Sequence, residues 1–421
     1  MMTKKLVYSV ATFLMRILTG ASLFWTIVTN LRTVAKADYI MLFPCGGFGH
    51  VLSAPDWLRR LDPAARTLTI FGRWPGRQNA VAAELWGRER FLWTWSAIWL
   101  PRLGVIADSR WCDTLFYFAQ RQLKRLWPKK RYFHAVASLV KATPRPSWIE
   151  PGSKYDSHYE SRLGALRLDR PAPALHLGER RTKTVESALT RSVGNGHRRR
   201  CNLYLRSKAG DVTNALRCSQ PLNAYLPLIR YLVDLEYLVM ITGDVEIKGT
   251  ILEGASNVVD WRRAGVSKDL FHVFCGTETD LHIGNLSGGS AYTYVSDIQS
   301  VMIDAMAIGD AYPKATVQYK RLLRPDGSLI PLSTMFKDYS LDFECLGCQV
   351  VDTSPLEMLE VVKDVVENGL GQIPYGVRPE SLGFCAPILK SADARLSPVW
   401  VRGFAQAGDS AQSTGDKLFS E

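Results

Sequence analysis

The sequence has no second CxxC or CxxH to complete the pair Cys345-Leu-Gly-Cys348, so a zinc-type ligand spacing is missing. Its eight cysteines are otherwise scattered, which is the usage of a reduced cytoplasmic chain and not of a disulfide scaffold. No repeat of fixed period runs along it, which excludes solenoid and collagen-like architectures. The GxSxG elbow, the Walker lysine loop, HExxH and the kinase signature set are absent. An uninterrupted membrane-length apolar run is also lacking, because Arg16 divides the apolar segment 6–31. An arginine at mid-bilayer costs about 2.5–3.5 kcal/mol on insertion scales, so spanning is marginal.

What is present is a globular composition. The 421 residues are 47% apolar and 22% charged, enough for a sizeable core, and that length predicts two domains. The net charge of +12 is lopsided. Residues 1–200 hold 33 basic and 13 acidic side chains, whereas 201–421 hold 19 and 27. The first half is therefore expected to meet an anionic surface.

The N-terminal segment 1–37 is expected to attach to a membrane, spanning it or lying in the interface with Arg16 at the headgroups. A cleaved leader ending near Ala35-Lys36-Ala37 is disfavoured by Arg32 and Lys36, and a helix packed on the domain surface is the plain alternative. Residues 86–132 hold six of the twelve tryptophans, interleaved with arginines and lysines. Within them Phe91–Leu100 is apolar but too short to span. Tryptophan beside cations is the composition of a bilayer interface, and a buried helix with a basic outer face competes with it evenly.

Beyond this segment the pattern is α/β. Asp38–Phe43 predicts a strand, followed by the glycine-rich turn Gly46-Gly47-Phe48-Gly49-His50 and a helix over Leu52–Leu61. Thr67–Phe71 predicts a second strand and Asn79–Trp86 a helix. In the second half, Cys201–Leu205, Tyr237–Ile241, Ile251–Val259 and Leu281–Ile283 are strand-like. Leu222–Leu235, Asp297–Ala307 and Pro355–Val366 predict helices. The boundaries that follow are a first α/β domain over 38–175, a basic linker over 176–200, a second α/β domain over 201–390 and a polar tail over 391–421.

Ligands of open α/β sheets sit beyond the carboxyl ends of strands, which singles out three places. Gly46, Gly47 and Gly49 let the backbone approach a ligand, and His50 there is a candidate general base. Arg206, with Lys208 and Arg217 behind it, suits a diphosphate. Ser287, Gly288, Gly289 and Ser290 offer hydroxyls and bare N–H groups to an anion. The plain alternatives are a tight turn, ordinary salt bridges and a serine/glycine turn.

The order Cys201-Asn-Leu-Tyr-Leu-Arg206, Asn223-Ala-Tyr-Leu-Pro227, Val239-Met-Ile-Thr-Gly-Asp244, Gly284-Asn-Leu-Ser287-Gly288 and Val350-Val351-Asp352-Thr-Ser-Pro355 resembles a family of bacterial glycosyltransferases from surface-polysaccharide gene clusters. That family is similar, distantly, to fucosyltransferases using GDP-fucose. The likeness covers most of 200–367, and Phe48-Gly49-His50 with Leu58-Arg59-Arg60 resembles the family's opening motif. The resemblance implies a GT-B fold, with two facing Rossmann-like domains, acceptor on the first and nucleotide sugar on the second. It implies Arg206 and Arg217 at the donor diphosphate, Ser287 and Gly288 beside it, and His50 facing from the acceptor side. Thr242 in place of an arginine, the lengthened Gly289-Ser290 loop and the displaced Asp211 depart from the pattern.

The expectation is thus a metal-independent, cofactor-free glycosyltransferase at the cytoplasmic face of the inner membrane. Its partners would be a nucleotide-sugar donor, a lipid-linked or polysaccharide acceptor and the membrane surface, with no nucleic acid. A non-catalytic scaffold retaining the fold and a pyruvyl-type transferase are the alternatives.

Overall fold

The computed structural model describes residues 2–43, 48–73, 80–87, 90–95, 109–145, 166, 170, 172–194, 199–206, 218–245, 247, 249–285, 288–305, 315–329, 348–368 and 395–396. The chain divides into two compact units, 1–145 with 169–173, and 146–168 with 174–421.

Unit 1 opens with a long helix, α1 (Met2–Thr29), and a short one, α2 (Leu31–Lys36). Next come β1 (Tyr39–Phe43), α3 (Phe48–Leu61), β2 (Thr67–Arg73), α4 (Ala80–Glu84) and β3 (Phe91–Trp95). The unit closes with α5 (Ser109–Leu126), β4 (Arg131–His134) and α6 (Ala135–Ala142). The strands form a parallel sheet in the order β3-β2-β1-β4. Every residue of β1 is buried, as expected of a parallel strand covered on both faces. Ile40 and Leu42 of β1, Leu68 and Ile70 of β2 and Phe116 of α5 share one core with Leu23 of α1.

Pro55 lies inside α3, which starts four residues earlier than its sequence suggests. Proline has no N–H to give the Val51 carbonyl, and the Trp86 indole N–H donates to that oxygen instead, at 2.9 Å. Buried Trp57 donates its own indole N–H to Thr143 Oγ1 at 2.7 Å, tying α3 to the end of α6.

Unit 2 starts with α7 (Glu179–Val193), β5 (Arg199–Leu205), α8 (Leu226–Asp234), β6 (Tyr237–Gly243) and β7 (Val258–Val259). It continues through α9 (Trp261–Ala264), α10 (Lys268–Thr277), β8 (Leu281–Gly284), β9 (Gln299–Ala305) and β10 (Ala315–Tyr319). The last elements are β11 (Arg321–Leu323), β12 (Gln349–Val351), α11 (Pro355–Glu367) and β13 (Arg395–Leu396). Seven strands form a sheet in the order β13-β10-β9-β8-β5-β6-β7, with every pair parallel. One face packs Leu203, Ile241, Ile283 and Ile303 against Leu228 and Leu232 of α8 and Val361 and Val362 of α11. Helix α11 is started by a capping box between Ser354 and Glu357, with Pro355 in its first turn.

Several expectations are corrected. The helix read over 297–307 is β9, all of whose residues are buried. A strand covered on both faces shows no alternation, so periodicity alone does not separate it from a helix. The linker read over 176–200 contains α7, whose Val185, Ala188 and Leu189 are buried, and the first two residues of β5, Arg199 and Arg200. Turns fill most of 251–259, leaving only β7 extended. The tail read over 391–421 contributes β13 to the sheet beside β10, and the rest of it lies outside the described residues. The apolar stretch 91–100 supplies β3, with Phe91 and Leu92 buried, while 96–100 lie outside the described residues. No described helix is long and apolar enough to cross a membrane.

Candidate functional site

In the larger sheet β6 and β7 extend to one side of β5, and β8, β9 and β10 to the other. The direction of strand addition therefore reverses between β5 and β8. Such a switch point opens a crevice at the strands' carboxyl ends, where the loops on either side part. Arg206 follows β5 directly, and the described residues 285 and 288–290 follow β8, so part of each candidate anion-binding stretch of this unit comes after one of the two strands that flank the switch point.

Arg206 is half-buried, and among the described residues its guanidinium has no hydrogen-bond or ion-pair partner. Its backbone is held firmly. The Arg206 N–H donates to Ser219 Oγ at 2.8 Å, and the Ser219 N–H returns a bond to the Arg206 carbonyl at 2.8 Å. Gly243 closes the same edge with φ of 95°, and a Cβ there would lie 2.0 Å from the Leu205 carbonyl oxygen.

Beneath the crevice a chain of buried polar groups crosses three strands. Thr242 Oγ1 donates to Asn202 Oδ1 at 2.7 Å, which leaves the Asn202 amide NH2 to donate to His282 Nδ1 at 3.0 Å. His282 thus carries its proton on Nε2 and donates to Ser290 Oγ at 3.1 Å, and Ser290 donates on to the Asn285 carbonyl at 2.8 Å. Burial, reinforced by the charge of His272, pushes His282 down to about 3. His272 is pushed down to about 4, mainly by burial. It stacks on Tyr204 and meets the Tyr292 ring edge-on. The turn Gly288–Tyr294 rests on these rings, and a Cβ on Gly289 would meet the Tyr204 ring at 2.1 Å.

The four-residue loop therefore divides. Ser290, expected as a donor ligand, turns inward and its hydroxyl is used by His282 and Asn285. Gly289 is buried against the Tyr204 ring. Gly288 is exposed at the surface, and Ser287 lies outside the described residues, as do Lys208 and Arg217.

Asp304 is a site residue that sequence patterning does not single out. It is 2% exposed at the end of β9, with φ of 57°. The register between β9 and β10 shifts there, so Asp304 is the extra residue of a bulge that re-aims its side chain. Its carboxylate accepts from Gln220 Nε2 at 2.8 Å and from the Thr353 N–H at 2.8 Å. Gln220 Nε2 also donates to the Thr353 carbonyl at 2.7 Å. Burial raises the Asp304 carboxyl, and Lys320 and the hydrogen bonds oppose the rise. Buried Lys320 pairs with Asp352. Asp304 thereby anchors the segment Ser219–Gln220 that grips the Arg206 backbone. A left-handed aspartate inside a strand leaves no mark on a sequence pattern.

In unit 1 the strand order reverses between β1 and β4, and β1 leads into the glycine-rich stretch. Gly46 and Gly47 lie outside the described residues. Gly49 and His50 fall in the first turn of α3, and the His50 side chain is not among those described. Arg59 and Arg60 both bond to buried Asp56, at 2.8 and 3.0 Å, and Arg60 also reaches the Arg170 carbonyl at 2.9 Å. Among the described residues no three His, Cys, Asp or Glu side chains gather as a metal-binding group. Cys201, Cys218 and Cys275 are buried, and Cys348 is partly exposed.

No protein-family model and no curated protein matches the sequence. Among solved structures, the chain is similar to the glycosyl transferase family 9 from Veillonella parvula DSM 2008 at a TM-score of 0.47 and 10% identity, covering 79% of this chain and 98% of that one. POFUT1 in complex with GDP-fucose is similar at 0.34 and 13% identity, over 62% of this chain and 95% of its own. The wall teichoic acid polymerase TagF is similar at 0.30 and 11% identity, over 100% of this chain and 97% of its own.

Proposed function

We propose that the protein is a glycosyltransferase that moves a sugar from a nucleotide-sugar donor to a lipid-linked or surface-polysaccharide acceptor. The observation that carries this reading is Arg206: an arginine without a partner among the described residues, on a braced backbone, at the switch point of a parallel sheet. A guanidinium there matches the two oxygens of a diphosphate. The exposed Gly288 edge of the neighbouring turn adds backbone N–H groups.

Transfer then needs three things. The acceptor hydroxyl attacks the anomeric carbon while the bond from that carbon to the diphosphate oxygen breaks. Arg206 and the backbone donors hold the charge that develops on the leaving diphosphate, without a metal. The hydroxyl proton passes to His50, the histidine that follows the glycine-rich stretch after β1. In this reading the transfer takes place at the cytoplasmic face of a bacterial inner membrane, with the N-terminal segment as the attachment.

The test is a thermal-shift screen of detergent-solubilised protein against UDP, GDP, CDP and CMP, with EDTA present. One nucleotide is expected to stabilise the protein selectively. Arg206→Ala should weaken that nucleotide by roughly 10- to 100-fold, the worth of a charge-assisted pair. Silence across the panel from a folded protein, or an undiminished shift in Arg206→Ala, would overturn the donor assignment in favour of a non-catalytic scaffold.

A further inference from the structure

Thirteen large apolar side chains are exposed among the described residues, and ten of them lie on α1, α2 and α5 of unit 1. Helix α1 is inverted relative to a water-facing helix. Three of its described polar side chains turn inward: Thr19 and Thr26 are buried, Ser22 Oγ meets Thr94 Oγ1 of β3 at 3.1 Å, and Thr26 Oγ1 bonds to the Ser22 carbonyl at 2.8 Å. Ile17, Phe24, Trp25 and Val28 point outward, with Phe24 and Trp25 at 68% and 67% exposure. These four follow the helical repeat and form one stripe. Beside it α5 packs into the same core through Phe116 and Leu123 and leaves Phe118 and Leu126 exposed.

The charge around this surface is mainly positive. Arg32 and Lys36 of α2 and Arg121, Lys124 and Arg125 of α5 are exposed. The sequences of α1, α2 and α5 contain a single carboxylate, Asp113. At the end of α5 a concavity of about 470 Å³ is lined by Leu126, Trp127, Lys129, Lys130 and Arg131 together with Ala35, Pro128, Asp38 and Tyr39. Lys130 is committed to the carbonyls of Ala35 and Ala37, whereas Lys129 has no partner among the described residues.

We infer that α1 and α5 together form an in-plane docking face by which unit 1 lies on an anionic lipid bilayer. The outward rings enter the headgroup boundary, and the cations of α2 and α5 meet lipid phosphates. The partner is a bilayer and not a second copy, because a rim of five cations with little acid would repel its own image. Side-on bonding of Ser22 to Thr94 holds α1 along the sheet, which fits lying flat and not crossing. This deepens the membrane part of the reading above, names α5 as a second element of the attachment, and is independent of the transfer chemistry.

Flotation of the full chain with vesicles tests it. Binding is expected to phosphatidylcholine vesicles containing phosphatidylglycerol, and to be at least tenfold weaker to phosphatidylcholine alone. Phe24→Ser with Trp25→Ser should lower binding to the mixed vesicles by more than tenfold. Arg121→Glu with Arg125→Glu should abolish the preference for anionic lipid. In the unaltered chain, brominated lipid should quench a fluorescence component that is absent from Trp25→Phe, a readout independent of how the double variants fold. Undiminished flotation of the Phe24/Trp25 variant, equal binding to both vesicle types, or a stable dimer that shields Trp25 and ignores vesicles would each overturn the inference. Nucleotide stabilisation is measured on the same samples, so loss of vesicle binding with that shift intact refutes only the docking face.

Discussion

Acid should unfold unit 2 through its two buried histidines, and the structure sets the size of the effect. His272 and His282 are pushed down from 6.5 to about 4 and about 3. A histidine whose folded value is depressed contributes its full stability above the unfolded value. That contribution is lost as pH falls from 6.5 towards the folded values. Each histidine costs about 1.4 kcal/mol per pH unit in that window, so the pair costs roughly 5 kcal/mol by about pH 4.5. A domain of ordinary stability, about 5–15 kcal/mol, is brought close to unfolding by that amount. His282→Gln isolates one member. Glutamine can offer its oxygen to the Asn202 NH2 and its own NH2 to Ser290, preserving the direction of the chain, but it does not titrate. Urea midpoints measured at half-unit steps of pH should fall less steeply in the variant, by about 1.4 kcal/mol per unit. Parallel curves for the two proteins would refute the reasoning, since the acid sensitivity would then belong to other groups.

Two further substitutions probe the edge that carries Arg206. Gly243→Ala combines a φ of 95° with a Cβ 2.0 Å from the Leu205 oxygen, so it should cost about 3 kcal/mol or more. A thermal midpoint within a degree of the parent would contradict this. Asp304→Ala loses both accepted hydrogen bonds and keeps the left-handed backbone, whereas Asp304→Asn retains one acceptor and a residue type that tolerates this region. Alanine should therefore be the worse by about 1–3 kcal/mol in urea unfolding, and equal losses would show that one retained acceptor does nothing for the bulge.

How much of this was legible in the sequence depended on whether side chains or backbone set the feature. Cys201–Leu205 and Tyr237–Ile241 announce themselves as unbroken apolar runs because both faces of the sheet are covered. The same property concealed β9, where Met302 and Ala305 are as acceptable to a helix as to a strand. Helix α7 was read as a linker because only Val185, Ala188 and Leu189 are buried along its length. Arg206 could be found by its place after a strand. Ser290 could not be interpreted, since only the position of His282 decides which way its hydroxyl turns. Asp304 needed the bulge, which is a backbone event.

The inverted polarity of α1 also orders the protein's assembly in time. Ser22 and its partner Thr94 are 72 residues apart in the chain. At translation rates of about 5–20 residues per second, the hydroxyl stripe of α1 waits roughly 4–14 seconds for β3 to emerge from the ribosome. Throughout that interval the outward stripe of Ile17, Phe24, Trp25 and Val28 is already complete. On the docking proposal, contact with a lipid surface then precedes folding, and the bilayer would be the platform on which the first sheet of unit 1 is laid down.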